Sequence, residues 1–319
     1  MLDIKTRFCY SIGHNKHLLR GKISTCPSNN EEGGTLSATW TVREIVNWTR
    51  GYFKRTGITQ PRLEAEILLA HSLNVDRLHL YLTPDKPLTL AERERFKEVV
   101  KKRRDGVPLQ HLTGEVSFFG LRFRVREEAL VPRPETEELV EKALSLAPRN
   151  RDIRCLDLGT GTGVIAVCLA KFLRRASVTA VDISAKALNL ARENAELNGV
   201  IDKIVFQESD WLGEVHGRFD LIVSNPPYID EAQLEKLPTE VREHEPRVAL
   251  NGGKNGTGKM ELLLEDVRAH MNNSAVLLLE IGDSQANQVL QLVERVGLIE
   301  ANIANDITGK QRFVIAKCP

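Results

Sequence analysis

The chain is predicted to be α/β, and three observations predict it. From about residue 150 to the end, short apolar strands alternate with helical stretches. From about residue 41 helical spacing prevails, and no strand signal appears before about residue 115. Between the two lies a run in which apolar and polar residues alternate about a glycine. Strands alternating with helices imply a mainly parallel sheet covered on both faces. The expected order is a small helical-bundle domain over residues 39–112, a β-hairpin linker over 113–132 and an α/β domain over 133–319.

Composition sets the outer limits. With 44 Lys+Arg against 43 Asp+Glu in 319 residues, the formal net charge is +1. The chain therefore lacks the basic excess of a protein that binds nucleic acid by charge alone. A hydrophobic fraction of 42% is too high for disorder throughout. No apolar run reaches the roughly 18 residues of a membrane-spanning helix. The cysteines, Cys9, Cys26, Cys155, Cys168 and Cys318, are scattered and form no CxxC pair. They indicate neither a zinc site nor a disulfide framework, and free thiols suit a reducing cytoplasm. The chain is read as cytoplasmic and monomeric, with no metal and no membrane attachment.

Residues 1–38 carry Gly13, Gly21, Gly33, Gly34 and the polar run Pro27-Ser28-Asn29-Asn30-Glu31-Glu32, with no persistent hydrophobic period. A secretory signal needs about 7–15 apolar residues after a basic start. Asp3, Glu31 and Glu32 weaken a transit-peptide reading. The segment reads as a disordered extension or a mis-assigned start.

In the helical domain, Thr41 with Glu44 three residues later forms a capping-box pattern ahead of Val42, Ile45, Val46, Tyr52 and Phe53. Pro61 opens a second helix carrying Leu63, Ala65, Ile67, Leu68 and Leu69. A third covers about 76–82, Pro84 and Pro87 break the chain, and a long charged helix over 90–104 sets Phe96, Val99 and Val100 on one face. Residues 39–110 hold 14 Lys/Arg against nine Asp/Glu. The densest cluster, Lys101-Lys102-Arg103-Arg104, is either a solvated helix end favoured by the C-terminal dipole or a docking patch for an acidic partner or RNA.

The hairpin is read from Val116, Phe118, Leu121, Phe123 and Val125 around Gly120. Pro132 and Pro134 then fix an extended approach to a helix beginning near Glu135. Strands are expected at 155–159, 178–183, 204–207, 221–224 and 276–281. Helices are expected at 163–172, 184–197, 260–271 and 285–296, and segments 299–307 and 313–316 close the set. Ligands of such sheets sit beyond the carboxyl ends of the strands, and the informative motifs all fall there.

The first is Asp157-Leu158-Gly159-Thr160-Gly161-Thr162-Gly163, a glycine turn between a strand and a helix. Glycine there permits positive φ and close approach by a ligand. The acid-x-Gly-x-Gly-x-Gly spacing fits S-adenosylmethionine better than the GxGxxG of dinucleotide enzymes, and no Lys-Ser/Thr follows to make a P-loop. The second is Asp182, which can accept both hydroxyls of a ribose or simply cap the next helix. The third is Ser209-Asp210-Trp211, where a polar group can meet an adenine amine and Trp211 can pack on the ring or belong to the core.

The fourth is Asn225-Pro226-Pro227-Tyr228, at the end of a strand. Its prolines remove two N–H donors and stiffen the loop. The Asn225 side-chain oxygen and the Pro226 carbonyl remain as acceptors, suited to the two N–H bonds of an NH2 group on a planar sp2 carbon. Accepting both protons pushes electron density back onto a nitrogen whose lone pair is delocalised. Tyr228 can cover the planar group. Positioning and electrostatics would carry the rate. There is no HExxH and no GxSxG, and His111 and His244 are read as structural.

The ordered motifs resemble the release factor glutamine methyltransferases, the HemK/PrmC family, over about residues 39–317. To the runs above the resemblance adds Pro108-Leu109-Gln110-His111-Leu112-Thr113-Gly114-Glu115, Leu130-Val131-Pro132-Arg133-Pro134-Glu135-Thr136-Glu137, Glu245-Pro246-Arg247-Val248-Ala249-Leu250, Leu279-Glu280-Ile281-Gly282 and Asp306-Ile307-Thr308-Gly309-Lys310-Gln311-Arg312. It implies a Rossmann-like class I methyltransferase domain behind a helical substrate-recognition domain. It also implies transfer of a methyl group from S-adenosyl-L-methionine, leaving S-adenosyl-L-homocysteine, to N5 of the glutamine in the Gly-Gly-Gln motif of class I peptide release factors. Carried over, Gly159, Thr160, Gly161, Thr162, Gly163, Asp182, Trp211 and Asn225 bind or border the cofactor. Asn225, Pro226, Pro227 and Tyr228 hold the glutamine, with Asn225, Pro226 and Tyr228 catalytic, and Arg133 and Glu135 line the entrance.

Met271-Asn272-Asn273-Ser274 stands where the family has a proline-glycine turn, and is read as a loop remote from the site. A paralogue acting on a ribosomal-protein glutamine and a DNA adenine-N6 methyltransferase share the acceptor tetrad. The second would need a basic region that reads bases, and the excess of five cations in the helical domain is slim. No direct nucleic-acid substrate is expected.

Overall fold

A computed structural model describes residues 39–319; the extension read at 1–38 lies outside them. The chain divides into two compact units at Thr113/Gly114.

The first unit is helical: α1 Val42–Arg55, α2 Pro61–Leu73, α3 Arg77–Leu82, α4 Leu90–Arg104 and α5 Leu109–Thr113. Thr41 and Glu44 form the expected capping box on α1, and Thr89 and Glu92 form a second one on α4. Phe53, Leu68, Leu69, Phe96 and Val100 are buried together where the four longer helices meet. The basic cluster divides. Lys101 and Lys102 are exposed, but Arg103 turns inward and its Nε lies 2.5 Å from Glu64 Oε2 on α2. Arg104 bonds Asp105. Sequence-adjacent residues on a helix do not share a face, so the four cations do not form one surface patch.

The second unit opens with the hairpin β1 Glu115–Phe118 and β2 Leu121–Arg124. Phe119 and Gly120 both have positive φ, which matches the twist of a two-residue hairpin turn. Then follow α6 Pro134–Leu146, β3 Ile153–Leu158, α7 Val164–Phe172, β4 Ala176–Asp182, α8 Ala185–Leu197, β5 Ile204–Glu208, β6 Phe219–Ser224, β7 Ile229–Asp230, α9 Thr239–His244, α10 Arg247–Leu250, β8 Asn251–Gly253, α11 Gly258–Glu265, β9 Met271–Glu280, α12 Ala286–Arg295, β10 Ile299–Asn305 and β11 Gln311–Lys317. Seven strands form one sheet in the order β10-β11-β9-β6-β3-β4-β5. The five from β9 to β5 run parallel; β11 is antiparallel to both of its neighbours, β9 and β10.

Strand period 2 assigns the core. In β3, Cys155 faces one apolar cluster and Leu156 and Leu158 the other; in β6, Leu221 and Val223 face the first and Ile222 the second. Both faces are covered, as near-continuous apolar strands require. From β3 the chain winds outward through β4 and β5, then returns to place β6 on the other side of β3. That reversal opens a crevice at the carboxyl ends of β3 and β6.

Three expectations change. The hairpin is not a free linker: Phe118 and Phe123 join the core of the second unit, and buried Asn194 of α8 clamps both backbone groups of Arg124 at 2.7 and 3.0 Å. The helix expected over 260–271 ends at Glu265, and a 3-10 turn at Val267–His270 leads directly into β9. The Met271-Asn272-Asn273-Ser274 run is therefore strand rather than loop, held to β6 by Asn272 Nδ2 donating to Asp220 Oδ1 at 2.9 Å.

Candidate active site

A cleft opens at this crevice. Of the residues singled out from sequence, Gly159, Thr160, Gly161, Thr162, Asp182, Trp211, Asn225, Pro227 and Arg133 line it. Gly163, Glu135, Pro226 and Tyr228 do not. Neither do His111 and His244.

The glycine turn is built from the strand ends upward. Gly159, Gly161 and Gly163 have φ of 73°, 55° and 82°, the left-handed region that glycine enters without cost. Gly159 and Thr160 both donate their N–H to the Val181 carbonyl of β4, at 2.9 and 2.8 Å. Fully buried Asp157 anchors the turn from below: its Oδ2 accepts from Thr160 Oγ1 at 2.6 Å and from the Ala166 N–H at 3.0 Å. Its Oδ1 is buried without a hydrogen-bond partner, and burial pushes the carboxyl up to about 7.

Gly163 has a different task from the one expected. A Cβ there would lie 2.9 Å from the Ala191 Cβ, so this glycine lets α7 and α8 approach.

Asp182 fastens the turn from the side. One carboxylate oxygen accepts the Gly161 N–H at 2.8 Å and the other the Ser184 N–H at 2.9 Å. Each oxygen retains a lone pair for a hydroxyl. Burial raises its pKa, against the pull of these N–H donors. Trp211 serves both of its alternatives: it packs on the core cluster beneath the sheet and lines the cleft, with its ring edge beside Gly159. The site thus offers a glycine cradle that side chains would fill, a ribose-compatible acid and an indole. These fit a nucleoside-bearing cofactor.

Asn225 follows β6, whose end is pinned to β3 by Ser224 Oγ donating to the Leu158 carbonyl at 2.6 Å. The Asn225 Nδ2 donates to Thr136 Oγ1 of α6 at 3.0 Å. Thr136 Oγ1 in turn donates to Glu280 Oε2 at the end of β9, at 2.9 Å. Among the described residues, no hydrogen bond reaches Asn225 Oδ1 or the Pro226 carbonyl. The two acceptors expected from sequence are both free.

Tyr228 packs its ring toward Gly282 and the core cluster. Burial pushes its hydroxyl up to about 12, so it remains a neutral phenol. Arg133, the N-cap residue of α6, bonds both oxygens of buried Glu245. Glu135 does not reach the cleft.

Sequence reasoning missed the supports. Gln285 Nε2 donates to the Tyr228 carbonyl at 2.8 Å, and Gln285 Oε1 accepts the Gly282 N–H at 2.9 Å. A Cβ on Gly252 would fall 2.8 Å from the Pro227 carbonyl, and one on Gly256 would collide with that of Tyr228. The glycine-rich run at 251–258 was the available signal. Thr136 and Glu280 belong to the runs 130–137 and 279–282, whose pattern alone gives neither residue a role. Among the described residues no group of three or more His, Cys, Asp or Glu could hold a metal ion.

Comparison with known proteins bears on this geometry. Residues 44–114 match a model described as the PrmC N-terminal domain, and residues 138–251 one described as the methyltransferase small domain. A release factor glutamine methyltransferase of Geobacter sulfurreducens is 42% identical over 275 residues, 86% of this chain and 96% of that protein. This chain belongs to the release factor glutamine methyltransferase family. A member from Chlorobaculum tepidum is 47% identical over 221 residues, 66% of this chain and 75% of the relative. Among solved structures, the human Mettl16 catalytic domain bound to an RNA hairpin matches with a TM-score of 0.50 at 15% identity, covering 62% of this chain and 76% of that one. That likeness speaks to the fold alone. As a family member the chain is an S-adenosylmethionine-dependent methyltransferase, on an α/β fold with a mostly parallel seven-stranded sheet.

Proposed function

We propose that the chain methylates N5 of the glutamine in the Gly-Gly-Gln motif of class I peptide release factors, using S-adenosyl-L-methionine and leaving S-adenosyl-L-homocysteine. The observation that carries this reading is Asn225, which lines the cleft at the end of β6 with no hydrogen bond to its Oδ1. The relatives' names supply the substrate class.

The cofactor supplies an electrophilic methyl group on a sulfonium when it is bound. Gly159, Gly161 and Asp182 would hold its nucleoside, with Trp211 against the base. Asn225 Oδ1 and the Pro226 carbonyl would each accept one N–H of the glutamine amide. Those two bonds orient the nitrogen and return electron density to it. Gln285 and the close-packed Gly252 and Gly256 hold the Pro227-Tyr228 backbone that frames the amide. No strong base is needed beforehand, because the methylated nitrogen sheds its proton afterwards. Cys155, Cys168 and Cys318 are buried free thiols, which suits a reducing compartment, and we place the reaction in the cytoplasm.

The test uses the purified chain, labelled S-adenosylmethionine and an unmethylated class I release factor. Mass spectrometry is expected to find one methyl group on the Gly-Gly-Gln glutamine. Transfer to plasmid DNA or to a ribosomal protein instead of the factor overturns the reading.

A further inference from the structure

The Asn225 amide has two ends of almost the same shape, and only its oxygen end can accept from a substrate NH2. Something must decide which end faces the cleft. The deciding groups are Thr136, which also lines the cleft, and Glu280, which does not. Thr136 has one hydroxyl proton, and it is directed at Glu280 Oε2, 2.9 Å away. What Thr136 Oγ1 offers to Asn225 is then a lone pair, 3.0 Å from Nδ2. A flipped amide would set Oδ1 against that lone pair. Thr136 is 3% exposed and Glu280 1% exposed, so on this side of the amide the wrong orientation would set acceptor against acceptor with little solvent to relieve it.

We propose that Thr136 and Glu280 are positioning residues whose hydrogen-bond direction holds the Asn225 amide with Oδ1 toward the substrate, and that the charge on Glu280 sets that direction. The inference rests on the reading that Asn225 accepts the substrate amide.

An ionised Glu280 can only accept, so the chain of bonds runs from Asn225 through Thr136 to Glu280. A protonated Glu280 can donate to Thr136 Oγ1. The Thr136 hydroxyl is then released to donate to Asn225 Oδ1, and the NH2 end turns to the cleft, donor against donor. The groups around Glu280 keep this switch within reach of neutral pH. Burial raises its pKa to about 7; Thr136, Arg312 of β11 and the Asn225 amide pull it down, while Glu135 of α6 pushes it up. Arg312 is itself drawn toward Asp306, 3.6 Å away. Tyr228, close enough to feel the Glu280 charge, remains neutral. Arg133 faces Tyr228 and is engaged by Glu245.

The test is kcat at saturating release factor and S-adenosylmethionine, measured from about pH 5.5 to about pH 9. The wild-type enzyme is expected to lose rate on the acid side of about pH 7, with one proton involved. Glu280→Gln is expected to lose that limb and to run more slowly at high pH, since an amide can point either way at any pH. Thr136→Val is expected to lower kcat at least about 10-fold with cofactor affinity changed less than about twofold, and Thr136→Ser to restore most of it.

A limb that survives unchanged in Glu280→Gln, or full kcat in Thr136→Val, overturns the proposal. So does a Thr136→Val loss that Thr136→Ser does not restore, or one matched by cofactor release. If Thr136→Val does not fold, Glu280→Gln and Thr136→Ser still decide it. Asn225→Ala separates the two readings. If it remains active, the role of Asn225 itself fails; if it is inactive while Thr136→Val is unimpaired, only the positioning chain fails.

Discussion

Arg133 Nη2 meets both carboxylate oxygens of Glu245, at 2.7 and 2.8 Å. Arg133 precedes α6 and Glu245 follows α9, so one guanidinium ties the approach to Thr136 to the segment beyond Asn225-Pro226-Pro227-Tyr228. The Glu245 side chain is 1% exposed and that of Arg133 is 35% exposed. Arg133→Gln would leave a buried carboxylate without its cation. Breaking a fully buried pair costs about 3–5 kcal/mol, and the solvent access of Arg133 reduces that to about 1–3 kcal/mol. Calorimetry should therefore show a lower Tm for Arg133→Gln. An unchanged Tm would mean that the contact contributes nothing.

Asn225 and Asp182 should fail in different ways. Asn225→Ala removes an acceptor used by the substrate, so kcat should fall by about 10²–10³ while the cofactor Kd stays within about twofold. Asp182→Ala removes hydrogen bonds to a charged group at the ribose position, so the cofactor Kd should rise by about 10- to 100-fold. Titration calorimetry for Kd and single-turnover rates for chemistry separate them. Equal loss of both quantities in Asn225→Ala would make that residue mainly a cofactor ligand.

The parts of this site legible in sequence are those where chemistry dictates residue type locally. Gly159 and Gly161 must be glycine because their backbones are left-handed at a ligand face. Asn225 announces itself because two prolines strip its loop of donors. Gly163 shares the same positive φ, but its reason is Ala191 on another helix, which spacing does not reveal. Thr136 lies 89 residues from Asn225 and 144 from Glu280. Their meeting depends on β9 lying beside β6 and on where α6 is placed, and no local pattern encodes that. The hairpin alternation was plain, but its partner, Asn194, is 70 residues downstream, so the strands read as a linker rather than as part of the second unit.

Asn194 makes a test of that attachment. Its side chain is fully buried; Oδ1 accepts the Arg124 N–H, and Nδ2 donates to the carbonyls of Arg124 and Thr162. One amide thus joins the hairpin to the glycine turn. Asn194→Ala strands one buried backbone group, the Thr162 carbonyl, and two part-buried ones on Arg124, a loss of about 1–3 kcal/mol if their penalties only partly add. Hydrogen exchange should accelerate in both 121–124 and 159–163. Acceleration in the hairpin alone would show that the turn does not depend on Asn194.

Asp157 gives the second unit a pH dependence of definite sign. Burial raises its folded-state pKa to about 7, against about 3.9 in an unfolded chain. A carboxyl with a raised folded pKa favours the folded state when protonated. Its contribution is complete below the unfolded value and is lost as pH rises through about 7. Asp157→Asn keeps an oxygen for Thr160 and Ala166 and removes the ionisation. The difference in unfolding free energy, variant minus wild type, should therefore become more positive from about pH 4 to about pH 7 and level off above. Denaturant titrations across that window, read as a difference, isolate this group from others that titrate. A difference that stays flat would mean that Asp157 ionises at its ordinary value. A difference that falls with pH would mean that the ionised carboxylate is the form that the glycine turn prefers.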